Sequence, residues 1–119
     1  TITVAPWEKN MLQEIERAIM IANIGFNPMN NGETIIINVP PLTEERRRNL
    51  AKQAKSESED AKIGIRNARK DANNDIKKLS EISEDLQKNA EFDVQEMTNL
   101  YVKKIDDIFH LKEKEIMTV

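Results

Sequence analysis

Thr1-Ile2-Thr3-Val4 alternates polar and apolar positions in β-branched residues, the pattern of a half-buried strand, and Pro6 ends it because proline cannot donate to a ladder. From Trp7 to about Ala22 the period changes. Met11, Ile15, Ala18, Ile19 and Ala22 recur at steps of three and four, which predicts a helix with one apolar stripe and Trp7 packed at its start. Gly25 can supply the left-handed residue that closes this helix, and Asn27-Pro28-Met29-Asn30-Asn31-Gly32 is a cluster of turn formers. A second strand is predicted over Thr34 to Val39, stopped by Pro40-Pro41. Residues 1–40 therefore read as strand, helix, strand, a partial β/α/β domain. Two strands are marginal in water, so further strands are expected beside them.

Beyond Pro41 the pattern is helical to the end of the chain. Thr43 can cap a helix whose first turn carries Glu44 and Glu45 at the positive end of the dipole. Leu50, Ala54, Ala61, Ile65, Ala68, Ala72, Ile76 and Leu79 then keep a three-four spacing without a proline. The predicted helix is about 36 residues, or about 54 Å, long. Ser80 and Ser83 interrupt it, Glu84 and Asp85 supply new first-turn acids, and Leu86, Ala90, Val94, Met97, Tyr101, Ile105 and Ile108 form a second stripe. An antiparallel hairpin of two long helices follows for residues 41–119. Leu100, Phe109 and Ile116 fall outside the seam between two helices, so a third helix is expected to cover the pair. Pro40 and Pro41 fix two backbone angles and make a stiff joint where the domain boundary and a hinge are placed.

Composition agrees with long amphipathic helices: 39% of the residues are hydrophobic, 33% are charged, and there are three Gly and four Pro. No Cys is present, which excludes disulfides, thiolate metal sites and cysteine nucleophiles within this sequence and fits a reducing compartment. No apolar run reaches the length of about 18 residues that spanning a membrane requires. The chain opens at Thr1 without an initiator Met or a signal peptide, so it is expected to be a fragment. Net charge is −3 but unevenly spread. Residues 1–43 carry 2 positive and 4 negative side chains, residues 44–79 carry 11 and 7, and residues 80–119 carry 5 and 10. A polyanion would therefore meet the chain on its middle helix and be repelled elsewhere.

At 100° per residue, Lys62, Arg66, Arg69, Lys70, Asn73 and Lys77 fall within about a third of that helix's circumference, beside its Ala/Ile stripe. Guanidinium groups reach phosphates bidentately and Asn73 can donate to a phosphate or a ribose hydroxyl, so the strip suits a folded RNA read by its backbone. The competing interpretation is a solvated face with intrahelical partners, such as Lys62 with Glu59 and Lys70 with Asp71. Arg46, Arg47 and Arg48 point in three directions, so the strip can take only some of them and one is expected to anchor the joint. His110 has no second imidazole or nucleophile at a useful spacing. Asp106-Asp107 and Glu113-Glu115 lack calcium-loop spacing, and no phosphate loop or catalytic set is present, so neither a catalytic residue, a metal ligand nor a cofactor is assigned. The chain is expected to act by binding, not as an enzyme.

The segments VPPLTEERRRNL (39–50), IRNARKDAN (65–73), EISED (81–85), VKKIDDI (102–108) and KEKE (112–115), in that order, closely resemble the bacterial ribosome recycling factor family, as does NIGFNPMNNGETIIINVPPLTEERR upstream. The resemblance implies an α+β protein, a three-helix bundle hinged to a small β/α/β domain, here with two of the three helices. It further implies a monomer that binds the large ribosomal subunit through ribosomal RNA and, with elongation factor G and that partner's GTP hydrolysis, splits the ribosome after termination. Arg66 and Arg69, the arginines of the IRNxR motif, would dock on ribosomal RNA. Lys70 stands where the family often has another arginine and keeps the charge without the fork. Asn73, Lys62, Arg46 and Arg47 would belong to the same surface, and Pro40-Pro41 to the hinge.

The family's first helix and first strands have no counterpart in the chain, and the helix-helix connection at Leu79 to Glu81 is a few positions shorter. The implied location is a bacterial cytoplasm or an organelle of bacterial descent. A rival function, from the residues alone, is a helical-hairpin module that pairs with a partner protein and needs no RNA.

Overall fold

Ile35, Ile36 and Ile37 form the centre of a small sheet in the computed structural model, which describes residues 1–119. The chain falls into two compact units, Thr1–Leu42 and Thr43–Val119. In the first, β1 (Ile2–Val4), α1 (Leu12–Ala22), β2 (Pro28–Asn30) and β3 (Ile35–Ile37) follow one another. The sheet order is β1-β3-β2, antiparallel throughout, with Ile37 opposite both Ile2 and Pro28, and Ile35 opposite both Val4 and Asn30. Successive side chains of a strand point to opposite faces. Ile35 and Ile37 accordingly face inward and are buried, while Ile36 is only half-buried. They form a core with Leu12 of α1, against which Val4, Ile15, Ile19 and Phe26 pack. Each such buried aliphatic side chain contributes about 1.5–3 kcal/mol.

Several details of this unit differ from the sequence expectation. The segment expected to be only a turn contains β2, because Pro28 sits at the start of an edge strand, where a missing N–H costs no ladder bond. The turn itself is compressed into residues 31–34. Asn31 Oδ1 accepts from the backbone N–H of Glu33 (2.9 Å) and Thr34 (2.8 Å), Asn30 Oδ1 accepts from Gly32 N–H (2.8 Å), and Gly32 takes φ +89°. The second strand shrinks from the expected 34–39 to 35–37.

The first helix is also shorter. A 3-10 turn at Lys9–Met11 precedes Leu12, and at three residues per turn it changes the phase of the stripe, so Leu12 rather than Met11 enters the core. Trp7 lies before that turn and is wholly exposed instead of packing on the helix. Asn23, at φ +49°, is the left-handed residue that ends α1, its N–H donating to Met20 O; Gly25 (φ +83°) is a second left-handed residue two positions further on.

The second unit is two helices, α2 (Glu44–Lys78) and α3 (Glu84–Met117). Thr43 Oγ1 accepts from Arg46 N–H at 3.1 Å, and Ser83 Oγ accepts from Leu86 N–H at 3.3 Å, so both helices start at hydroxyl caps, each worth about 1 kcal/mol. Acids fill both first turns and lysines both last turns, in the sense the helix dipole favours. Leu79, expected as the last apolar position of α2, instead follows it as the C-cap and is half exposed, and its carbonyl accepts from Gln87 Nε2 at 2.9 Å.

The two helices run antiparallel, tied across the seam by three side chains of α2. Arg47 donates to Ile116 O and Thr118 O, Lys62 pairs with Asp106, and Arg69 donates to Gln95 Oε1. One seam cannot bury two stripes. No residue of α2 is fully buried, and the only one in α3 is Thr98, whose hydroxyl donates to Val94 O at 2.7 Å.

Candidate RNA-binding face

Two long faces distinguish the helical pair, and the helical repeat separates them. On one side, Ala54, Ala61, Ala68 and Ala72 of α2 and Val94, Met97, Tyr101 and Ile108 of α3 line two shallow apolar hollows of about 280 and 270 Å³. On α2, Arg66 and Lys70 project about 120–200° round from those alanines, at 100° per residue. Arg66 and Lys70 thus lie on the face opposite the hollows, while Arg69, at the seam, lines one of them.

The cations there are in different states. Arg66 and Lys70 are exposed and make neither an ion pair nor a hydrogen bond, so both are available to an anion. Arg69 is half-buried at the seam, with Nη1 donating to Gln95 Oε1 at 3.2 Å; guanidinium has four further N–H groups. Asn73 is half-buried beside it, with its Oδ1 shielded from water and unpartnered. Lys62 is engaged differently. Its side chain is only 14% exposed and pairs with both Glu59 and Asp106. The hydrogen bond to Asp106 is the largest cause that raises its pKa above the ordinary lysine value, so the pair persists through neutral pH and fades only above the usual lysine range. Lys62 is therefore a cross-helix tie.

Arg47 is likewise committed inside the unit: Nη1 donates to Ile116 O at 2.7 Å and Thr118 O at 2.8 Å, closing the last turn of α3 onto the first turn of α2. Arg48 pairs with Glu44 one turn back, and Arg46 is half-buried. The residues brought together as an open cationic surface are thus Arg66, Arg69 and Lys70, with Asn73 at their edge. Sequence spacing places all these residues on one helix, but which of them already hold a partner depends on the register of α3. His110 lines a shallow hollow with Arg48 and Lys52 near the start of α2, its ring 5.4 Å from that of Phe109. No His/Asp/Glu group has the geometry to hold a metal ion. No helix is long and apolar enough to cross a membrane.

These features define a class: an α+β protein with a small three-stranded unit and a long helical pair that carries exposed cations on one face and open apolar hollows on another. The chain belongs to the ribosome recycling factor family, whose model matches residues 1–117. It is 72% identical over 121 residues to the ribosome-recycling factor of Flavobacterium johnsoniae and 51% identical over 121 residues to that of Bacteroides thetaiotaomicron. Each match covers 100% of this chain and 65% of the relative, so the chain spans just under two thirds of their length. A solution structure of a ribosome recycling factor matches 98% of the chain and 63% of that protein, with a TM-score of 0.62 and 38% identity.

Proposed function

We propose that the chain acts in ribosome recycling by docking on ribosomal RNA of the large subunit through the Arg66, Arg69 and Lys70 face, and that with elongation factor G it splits the post-termination ribosome, acting by binding and not by catalysis. The observation that carries this reading is the family match over residues 1–117 in a chain whose exposed, unpaired cations gather on one face of α2. In that reading the protein works as a monomer in a bacterial cytoplasm or an organelle of bacterial descent. The apolar hollows along α2 and α3 then seat the third helix of the family's bundle. The same hollows favour the rival reading, in which a helix of a partner protein fills them and RNA plays no part.

Salt separates the two. Binding to isolated large subunits, followed by co-sedimentation across a salt series, should weaken with a log–log slope of about −0.7 to −0.9 per phosphate neutralised. Binding that is flat in salt would replace the RNA-docking reading with the helix-pairing one.

Pro40 and Pro41 serve in this reading as a stiff hinge that passes the partner factor's push from one domain to the other. Replacing both with glycine should leave large-subunit binding nearly unchanged and reduce factor-dependent splitting severalfold, measured by light scattering. Equal loss of both activities would remove the hinge from the mechanism.

A further inference from the structure

Phe92 is 64% exposed on a helix whose other large apolar residues mostly line the hollows or the seam. Its position is what makes that exposure informative. Val94, Met97 and Tyr101 lie about 140–180° away from it round α3, so nothing that fills the apolar hollows covers Phe92. Lys88, Gln95 and Asn99 lie within about 60° of it, on the side where Gln95 accepts from Arg69 and donates to Asn99 Oδ1 at 2.9 Å. Moving one turn along each antiparallel helix from the Arg69–Gln95 contact brings Asn73 opposite Phe92. An exposed aromatic ring therefore shares a face with Arg66 and Lys70, beside the Arg69–Gln95 contact at the seam.

The geometry points to Phe92 as a stacking platform for an unpaired nucleobase of the RNA that lies on the cationic face; this rests on the RNA-docking function above. Phosphates would follow α2, where Arg66 and Lys70 are free. Glu96 stands one turn from Phe92 and α3 is acidic, so the polyanionic backbone is held to α2 and only an uncharged base extends over α3. Every base has a π-face, and rings of this kind are the sequence-tolerant element of single-stranded RNA recognition.

The test measures binding to isolated large ribosomal subunits by the unaltered chain and by F92A, F92L and F92W, the last carrying W7F so that position 92 holds the only tryptophan. F92A should bind about ten- to a hundredfold more weakly with an unchanged salt slope, because no charge is removed. F92L should fall with it, while F92W should keep its affinity and lose emission on binding as the indole stacks. Wild-type affinity in F92A or F92L would overturn the inference, since a leucine supplies apolar contact without a ring face. Weakened F92A binding without quenching in F92W would overturn it too, by placing the ring against protein. Failure of the unaltered chain to bind would instead overturn the RNA-docking function and this inference with it. Helical circular dichroism of each variant should match the unaltered chain, because the ring packs largely against solvent.

Discussion

Replacing Arg66 and Arg69 together by alanine is expected to weaken binding to large ribosomal subunits about a hundredfold or more at moderate salt. Hydrogen bonds to charged groups contribute about 1.5–3 kcal/mol each, and every 1.4 kcal/mol is about a factor of ten. The two side chains differ in what they already hold. Arg66 makes no hydrogen bond or ion pair within the protein, so its removal reports mainly on the ligand. Arg69 also donates to Gln95, an exposed contact whose loss costs the hairpin about 0.5–1.5 kcal/mol and is checked by a melting curve. The salt slope should become shallower by about 1.4–1.8 if each guanidinium neutralises one phosphate. An arginine-to-lysine pair should recover part of the slope but less of the affinity, since the ammonium keeps the charge and loses the fork. A folded double variant that binds like the unaltered chain would move the contact off this face altogether.

The second large effect concerns stability. Ile35 has no exposed surface and lies on β3, the central strand of the sheet, in a core built from few fully buried side chains. Ile35→Ala removes three carbons from that core, which costs about 2–5 kcal/mol. A unit of this size has a total stability of only about 2–6 kcal/mol at typical values per residue, so the substitution should consume most of it. Hydrogen exchange is the direct readout. Amides of β3 and α1 should lose protection by several orders of magnitude in the variant, and retained protection at Ile35 to Ile37 would show that the core lies elsewhere.

The elements that were legible in the sequence are those whose causes are local. Thr43 and Ser83 cap N–H groups three residues ahead of them, so both helix starts can be read from spacing alone. The three-four apolar spacing up to Leu79, interrupted at Ser80, likewise fixes the extent of α2 to within a residue. β2 was illegible because Pro28, Asn30 and Asn31 have turn chemistry, and its strand character comes from a ladder to β3 that local propensity does not encode. Leu12 was missed because a 3-10 turn shifts the phase of a stripe counted at 3.6 residues per turn.

The same division runs through the cationic face. Periodicity groups its residues on one helix, but the engagement of Lys62 by Asp106 and of Arg47 by the end of α3 is set by which residue of one helix falls beside which of the other. Phe92 gave no signal in a single sequence, because its meaning depends on which face of the helical pair it occupies.

Arg47 also changes how the open end of the hairpin comes apart. Helix ends ordinarily fray independently, since the last carbonyls of each have no partner within the helix. Here the carbonyls of Ile116 and Thr118 are satisfied by a donor from the first turn of α2. Loosening of either end releases the other, so the start of α2 and the finish of α3 open and close as a single cooperative event.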